Sequence, residues 1–456
     1  MRGDESDVQP WGVSVHRIAI IGCGYVGLVT GTCFAELGNR VVCVENDPGR
    51  YEALASGGVP FYEPGLAELV ARNRSRKRLS FAPSVAEGIG GAQVVFIAVG
   101  TPMLPDGLAD LSYVRAAARE IAEALDSPKL VVNKSTVPVE TGDLVAAIIR
   151  EHNAAGHDVQ VLSNPEFLRE GSAIADFMHP DRIVLGVADA AAEATMRDLY
   201  APLRAPVIAT DVRTAEMIKY TANAFLAAKI SFINEIAAVC ERVGADVTDV
   251  VTGVGADRRI GKAFLNAGLG FGGSCFPKDV RALCGIAAAN GTPTPLLEAV
   301  LDVNAAQIDR IGARIGAALG GLEGRRVALL GLAFKPETDD VRESPAIKLA
   351  EHLLGAGATI VAHDPVALET GRRELGDRVS YADDPYEAAD GADALVIATD
   401  WNEYKQLDFG LISAKMRGTA VFDTRNVCDR REVEARGLGY FGVGRPAGGS
   451  PARDAS

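Results

Sequence analysis

Short apolar runs alternate with longer mixed stretches over most of the chain. VSVHRIAIIG is an apolar run that ends in glycine at Gly22, the pattern of a buried parallel strand. GTCFAELGNR reads as a helix closing at Gly38, and VVCVEND as the next strand. AQVVFIAVGTP (92–102) and KLVVNKSTVP (129–138) are further strands with a helical stretch, LSYVRAAAREIAEAL, between them; VQVLSNPEF and DRIVLG continue the series. Strands alternating with helices predict a doubly wound, Rossmann-like parallel sheet over residues 15–212.

The pattern then changes. From Thr214 to Val243 there is no Pro or Gly, Ala is frequent, Thr214 is a candidate N-cap and Gly244 follows the end; this predicts one helix of about 30 residues. It opens a helical block, 213–318, and can form a spine. Strand signals return in RRVALLGLAF, ATIVAHDP, DALVIATD and TAVFDTRN, predicting a second αβα sheet over 319–444. Residues 1–14 and 445–456 read as a disordered lead and tail. The fold class is therefore α/β: two doubly wound parallel-sheet domains joined by a long central helix and a helical block.

Composition narrows the function classes. The 456 residues are 48% hydrophobic and 23% charged, ordinary for a globular protein. No run of 18 or more uncharged apolar residues suggests a membrane span, and the acidic N-terminus is not a secretory signal, so a cytoplasmic location is expected. The formal net charge of −14 argues against a nucleic-acid partner. Seven scattered cysteines with no CxxC pair suggest neither a disulfide framework nor a metal site.

Gly22-Cys-Gly24-Tyr25-Val26-Gly27 follows a strand and opens a helix. The first glycine allows the turn, the second lets backbone approach a pyrophosphate, and the third permits helix–strand packing. Glu45 closes the second strand, where a carboxylate binds ribose hydroxyls and repels the 2′-phosphate of NADP; NAD is the expected dinucleotide. Gly100-Thr101-Pro102 ends another strand and faces the same crevice. The second sheet lacks this fingerprint and is expected to hold no dinucleotide.

The reaction chemistry is concentrated in 259–280, RIGKAFLNAGLGFGGSCFPKDV. Cys275 sits before Pro277, a favoured residue in a first helical turn, with Lys278 and Asp279 following. A helix start and a nearby Lys activate a thiol, so Cys275 is the candidate nucleophile. On the long helix, Lys219 and Asn223 share one face at i, i+4. So apolar a helix must be largely buried, and a buried Lys and Asn need partners; they suit a developing oxyanion. Glu166 in NPEFLREG and Thr136 in KSTVP lie at strand ends, where catalytic groups collect.

These segments resemble the UDP-glucose/GDP-mannose dehydrogenase family. The carriers are GCGYVG, YEPGL (62–66), KSTVP, NPEFLREG, EMIKYTANAF, FGGSCFPKD, GLAFKPETDDVRESP (331–345) and FDTRN (422–426), spanning about 16–444. RIGKAFLNAGLGFGGSC is most similar to the branch acting on UDP-glucose, and the His-Cys pair usual in the UDP-N-acetylmannosamine branch is absent. The resemblance implies NAD-dependent oxidation of a nucleotide sugar's C6 alcohol to a carboxylate, with GDP-mannose or a UDP-N-acetylhexosamine as alternative substrates. A non-catalytic NAD-responsive sensor is an alternative of another class.

By the same resemblance Cys275 is the nucleophile, Lys219 stabilises oxyanions, Asn223 and Thr136 position substrate and water, Asp279 orients that water or acts as base, and Glu166 assists hydrolysis. Gly22, Gly24, Tyr25, Val26, Gly27, Glu45, Thr101, Thr136, Glu170, Lys278 and Arg342 would contact the cofactor. Glu166, Phe167, Leu168, Lys219, Asn223, Arg259, Phe264, Leu265, Gly272, Cys275, Phe334, Lys335 and Arg425 would contact UDP-glucose. The family also implies a homodimer through the central helix, with Arg259 acting across it.

Overall fold

The computed structural model describes residues 14–104 and 107–446. The expected lead and tail lie almost wholly outside these ranges. Arg445, which the composition reading assigns to the tail, is held: its guanidinium bonds to Asp246 at 3.0 Å and to the Tyr440 hydroxyl at 3.1 Å. The chain divides into two compact units, with the division between Ala222 and Asn223.

The first unit is built on eight strands: β1 (Arg17–Ile21), β2 (Arg40–Val44), β3 (Leu79–Ala82), β4 (Val94–Ile97), β5 (Lys129–Asn133), β6 (Val159–Ser163), β7 (Ile183–Gly186) and β8 (Val207–Thr210). Their order is β3-β2-β1-β4-β5-β6-β7-β8. Because side chains alternate across a strand, the two faces carry separate cores. Ile18, Ile20, Phe96 and Val132 pack on one face; Ala19, Ile21, Val95, Ile97 and Val131 pack on the other. β1 to β6 are parallel, as the alternating pattern predicts, but β7 runs antiparallel to β6 and β8 follows β7. The β6–β7 connection carries only the six-residue helix Ala173–Met178 and returns the chain in the opposite sense, where a parallel link needs a full crossover.

The second unit's sheet comprises β9 (Arg326–Leu330), β10 (Thr359–His363), β11 (Ser380–Tyr381), β12 (Ala394–Ile397), β13 (Ala420–Asp423) and β14 (Gly439–Gly442), in the order β11-β10-β9-β12-β13-β14 and parallel throughout. Val327, Leu329 and Val396 pack on one face, and Ala328, Leu330, Leu395 and Ile397 on the other.

The long helix runs Val212–Val243. It starts two residues earlier than the sequence suggests because Asp211, not Thr214, caps it: the Asp211 carboxylate accepts the Thr214 N–H at 2.9 Å and the Thr214 hydroxyl at 2.6 Å. By length and composition this helix could cross a bilayer. Its buried side, however, carries Glu216, Lys219, Asn223 and Asn234, each hydrogen-bonded to protein, which is the pattern of a core helix.

Candidate active site

In the first unit, the glycine fingerprint sits between β1 and the helix Tyr25–Glu36. Gly22 has φ +98°, and a Cβ there would stand 2.8 Å from the Ala98 carbonyl oxygen. At Gly27 a Cβ would stand 1.9 Å from the Gly22 oxygen. Gly24 is different: nothing lies within 4 Å of the point where a Cβ would project. Two glycines are thus required by packing, while the third leaves open space at the start of a helix, which fits a dinucleotide pyrophosphate. Tyr25 and Val26 open the helix. Glu45 is buried after β2; its carboxylate accepts the Asp47 N–H at 3.1 Å and lies 3.6 Å from Arg50 Nε. Arg50 also donates to the Cys23 carbonyl at 3.1 Å, linking the acidic residue to the turn. Thr101 and Thr136, from separate strand ends, are joined by the Thr101 hydroxyl donating to the Thr136 carbonyl at 2.8 Å.

Lys219 Nζ donates to Glu166 Oε1 at 2.9 Å, and both side chains are 4% exposed. The other carboxylate oxygen accepts the Leu168 N–H, and the Phe167 ring lies 5.4 Å from Lys219 Nζ. The need of a buried Lys for a partner is therefore met by Glu166. Two groups that have no role in the sequence reading, in the segments KSTVP and YEPGL, are also built into the unit. Lys134 is buried against Asn164 and the Tyr200 hydroxyl, and burial pushes its ammonium down to about 8. Glu63 is buried and accepts from the Tyr25 hydroxyl, from Gly171 N–H at 2.6 Å and from Ala173 N–H at 2.7 Å. It ties the fingerprint helix to the NPEFLREG loop, beside Glu170. Its signal is the carboxylate of YEPGL (62–66), a segment that carries the family resemblance.

In the second unit, Cys275 is the N-cap of the helix Phe276–Ala289, with Pro277 in the first turn. The Asp279 N–H closes that turn on the Cys275 carbonyl at 2.8 Å, and the Ser274 hydroxyl lies 3.6 Å from the thiol. Asp279 is fully buried; Asn223 Nδ2 donates to its Oδ2 at 2.6 Å and Lys278 Nζ meets its Oδ1 at 2.7 Å. The glycines before the cysteine are crowded. A Cβ at Gly272 would stand 2.3 Å from the Glu343 carbonyl oxygen, and one at Gly273 2.7 Å from the Phe334 ring. Asn304, another group the sequence did not flag, clamps both backbone groups of Phe271 at 2.8 and 3.0 Å.

Leu265 is buried, and Phe264 adopts a left-handed φ of +64° with its ring 6.1 Å from Phe276. Arg425 donates to the Ala398 carbonyl at 2.7 Å and the Phe334 carbonyl at 3.4 Å, and Lys335 Nζ lies 5.5 Å from the Phe334 ring. Two expected residues have exposed side chains. The Arg259 side chain is 89% exposed, and among the described residues its bonds run only to Asp257, two residues before it. Arg342 is 62% exposed and forks onto Asp340, while its backbone carbonyl accepts the Gly273 N–H at 3.0 Å.

A turn that can seat a dinucleotide at Gly24 belongs to a dehydrogenase, whose bound dinucleotide accepts hydride. Three domain signatures place the chain more narrowly: the NAD binding domain of the UDP-glucose/GDP-mannose dehydrogenase family matches residues 16–204, its central domain 213–306, and its UDP binding domain 328–430. The chain belongs to the UDP-glucose/GDP-mannose dehydrogenase family, and its cofactor is NAD.

A UDP-glucose 6-dehydrogenase of Rhizobium meliloti is 52% identical over 437 residues, covering 94% of this chain and 100% of the relative. One from Bacillus subtilis is 49% identical over 433 residues, covering 95% and 94%. Among solved structures, a UDP-glucose dehydrogenase from Pyrobaculum islandicum superposes with a TM-score of 0.89 at 44% identity, covering 96% of this chain and all of that one. A UDP-D-ManNAc dehydrogenase from Pyrococcus horikoshii gives 0.83 at 28% identity, covering 94% and 99%.

Proposed function

We propose that this chain is a UDP-glucose 6-dehydrogenase that makes UDP-glucuronate, with Cys275 as the covalent nucleophile. The observation that carries the reading is Cys275 capping a helix whose first turn holds a buried Asp279 bonded to Asn223. Simple alcohol oxidation needs no such thiol; oxidation past the aldehyde does. The relatives named UDP-glucose 6-dehydrogenase support UDP-glucose as substrate.

NAD, when bound, supplies a hydride acceptor for both oxidations. The protein's share is as follows. Once C6 is an aldehyde, the Cys275 thiolate adds to its carbon, forming the C–S bond of a thiohemiacetal that still bears one hydrogen. Oxidation of that carbon leaves a thioester. Water, oriented by Asn223 and Asp279, attacks the thioester carbon; the C–S bond breaks and the thiolate returns. Lys219 donates to the oxygen that gains charge at each addition, and Glu166 holds Lys219 and takes a proton during hydrolysis. Thr136 helps place substrate and water, and Phe264, Leu265, Gly272, Phe334, Lys335 and Arg425 hold the nucleotide sugar.

The reading also includes a cytoplasmic homodimer. Met217, Phe225, Phe232, Val239 and Val243 are exposed along the long helix at intervals of eight, seven, seven and four residues, an outward apolar stripe suited to a second copy. Arg259, exposed in the single chain, would then serve the partner's site. Among the described residues the seven cysteines form no disulfide with one another, which suits a reducing compartment. Assaying purified protein with UDP-glucose, GDP-mannose and UDP-N-acetylmannosamine in parallel tests the substrate: turnover of UDP-glucose is expected, and turnover of another sugar alone would move the enzyme to a sister branch.

A further inference from the structure

The two sheets share a turn geometry that the sequence hides. In the first, Gly22 follows β1 with φ +98°, its N–H bonds to Val44 O at the end of β2 at 2.9 Å, and Glu45 comes next. In the second, Gly331 follows β9 with φ +101°, its N–H bonds to His363 O at the end of β10 at 2.7 Å, and Asp364 comes next. Asp364 therefore occupies in the second sheet the place that Glu45 occupies in the first.

The two carboxylates are used differently. Asp364 is 1% exposed and accepts five N–H groups. Leu332 and Ala333, in the turn after β9, donate to its Oδ2 at 2.8 and 3.1 Å, and Trp401 Nε1 joins them at 3.2 Å. Val366 and Ala367 donate to Oδ1 at 3.0 and 2.8 Å. The backbone donors that such a turn would offer a bound anion are taken by the protein's own carboxylate. Where Gly24 leaves open space in the first sheet, Ala333 is fully buried in the second.

The turn is fixed from other sides too: Ser344 Oγ donates to Leu332 O at 2.7 Å and Thr399 Oγ1 to Ala333 O at 2.7 Å. The next residues are Phe334, whose ring lies against Gly273, and Lys335.

We propose that Asp364 is a positioning residue of the nucleotide-sugar site, an internal anion that locks the 331–335 turn so that Phe334 is held against the cysteine loop and Lys335 beside the Phe334 ring. This rests on the UDP-glucose reading for its ligand, but not for its geometry. Each Asp364 oxygen faces at least two N–H donors, so Asp364→Asn must set an amide NH₂ against a donor in either orientation. Loss of several such bonds should raise the UDP-glucose Kd about tenfold or more, while Trp401→Phe, which removes one donor, should raise it about threefold. NADH binding, read by its fluorescence, should stay within about twofold in both, since a single hydrogen bond's worth is the threshold. Amide hydrogen exchange at 331–335 should speed up in both variants.

UDP-glucose binding and exchange at 331–335 both unchanged in Asp364→Asn would overturn the proposal, as would equal losses for UDP-glucose and NADH. If Asp364→Asn does not fold, Trp401→Phe decides by the same measurements. Absence of UDP-glucose binding by the unaltered protein would defeat the substrate reading instead, and exchange would still decide the role of Asp364.

Discussion

Asn223 Nδ2 donates to Asp279 Oδ2 at 2.6 Å while Lys278 Nζ engages the other oxygen at 2.7 Å. The long helix and the cysteine helix are thus joined by a carboxylate with a hydrogen-bond donor on one oxygen, an ammonium paired with the other, and no exposed surface. An amide at 279 would set NH₂ against one of those donors. If Asp279 orients the hydrolytic water, Asp279→Asn should cut kcat by about 10²–10⁴, the usual scale for a positioned acid–base group. The covalent thioester should then accumulate, visible as an added mass on the intact protein. A near-normal rate with no adduct contradicts that role.

The Lys219–Glu166 pair gives a second expectation. Loss of one oxyanion donor typically costs about 10²–10³ in rate, so Lys219→Ala should lose at least that in kcat. It also leaves a buried carboxylate without its cation, a change that costs about 3–5 kcal/mol. The Tm should therefore fall as well. Lys219→Met combined with Glu166→Gln should recover the Tm but not kcat; recovery of both would make the pair structural.

Glu216, one turn before Lys219, predicts a pH effect on stability. Its buried carboxylate accepts the Glu140 and Gly142 N–H groups at 2.9 and 2.8 Å, and burial pushes it up to about 7. The folded state therefore holds this proton more tightly than the unfolded chain. The contribution is complete below the ordinary carboxylate range and is lost as pH rises through about 7. Thermal unfolding between pH 5 and 8 should show the unaltered protein losing stability relative to Glu216→Gln. Parallel curves would show that the carboxylate is ionised in the fold throughout.

The apolar stripe yields a fourth. Each Phe taken out of water is worth about 1.5–3 kcal/mol, and twofold symmetry counts it twice. Phe225→Asp with Phe232→Asp should convert a dimer to monomer in sedimentation velocity at micromolar concentration. A dimer of unchanged mass would place the interface elsewhere.

Much of this fold was legible in the pattern of residues, because buried central strands such as β1, β4 and β9 are continuous apolar runs. Strands β3, β8 and β11 were not: each is short and partly exposed at a sheet edge, so its apolar signal is weak. The reversal of β7 was also hidden, because a strand's direction is set by its connection and not by its composition. At the site, Cys275, Lys219 and Asn223 stood out as polar or reactive groups in apolar or glycine-rich surroundings. Glu63, Asn304 and Asp364 did not, because each does its work through backbone N–H groups brought from distant segments.

By the proposed mechanism one active site carries a sugar through two oxidations, the second on Cys275. NADH formed per UDP-glucose consumed tests it most directly. Two NADH per sugar are expected from the unaltered protein, with Cys275→Ser stalled before the second. One NADH per sugar, or full double oxidation by Cys275→Ser, would contradict the account.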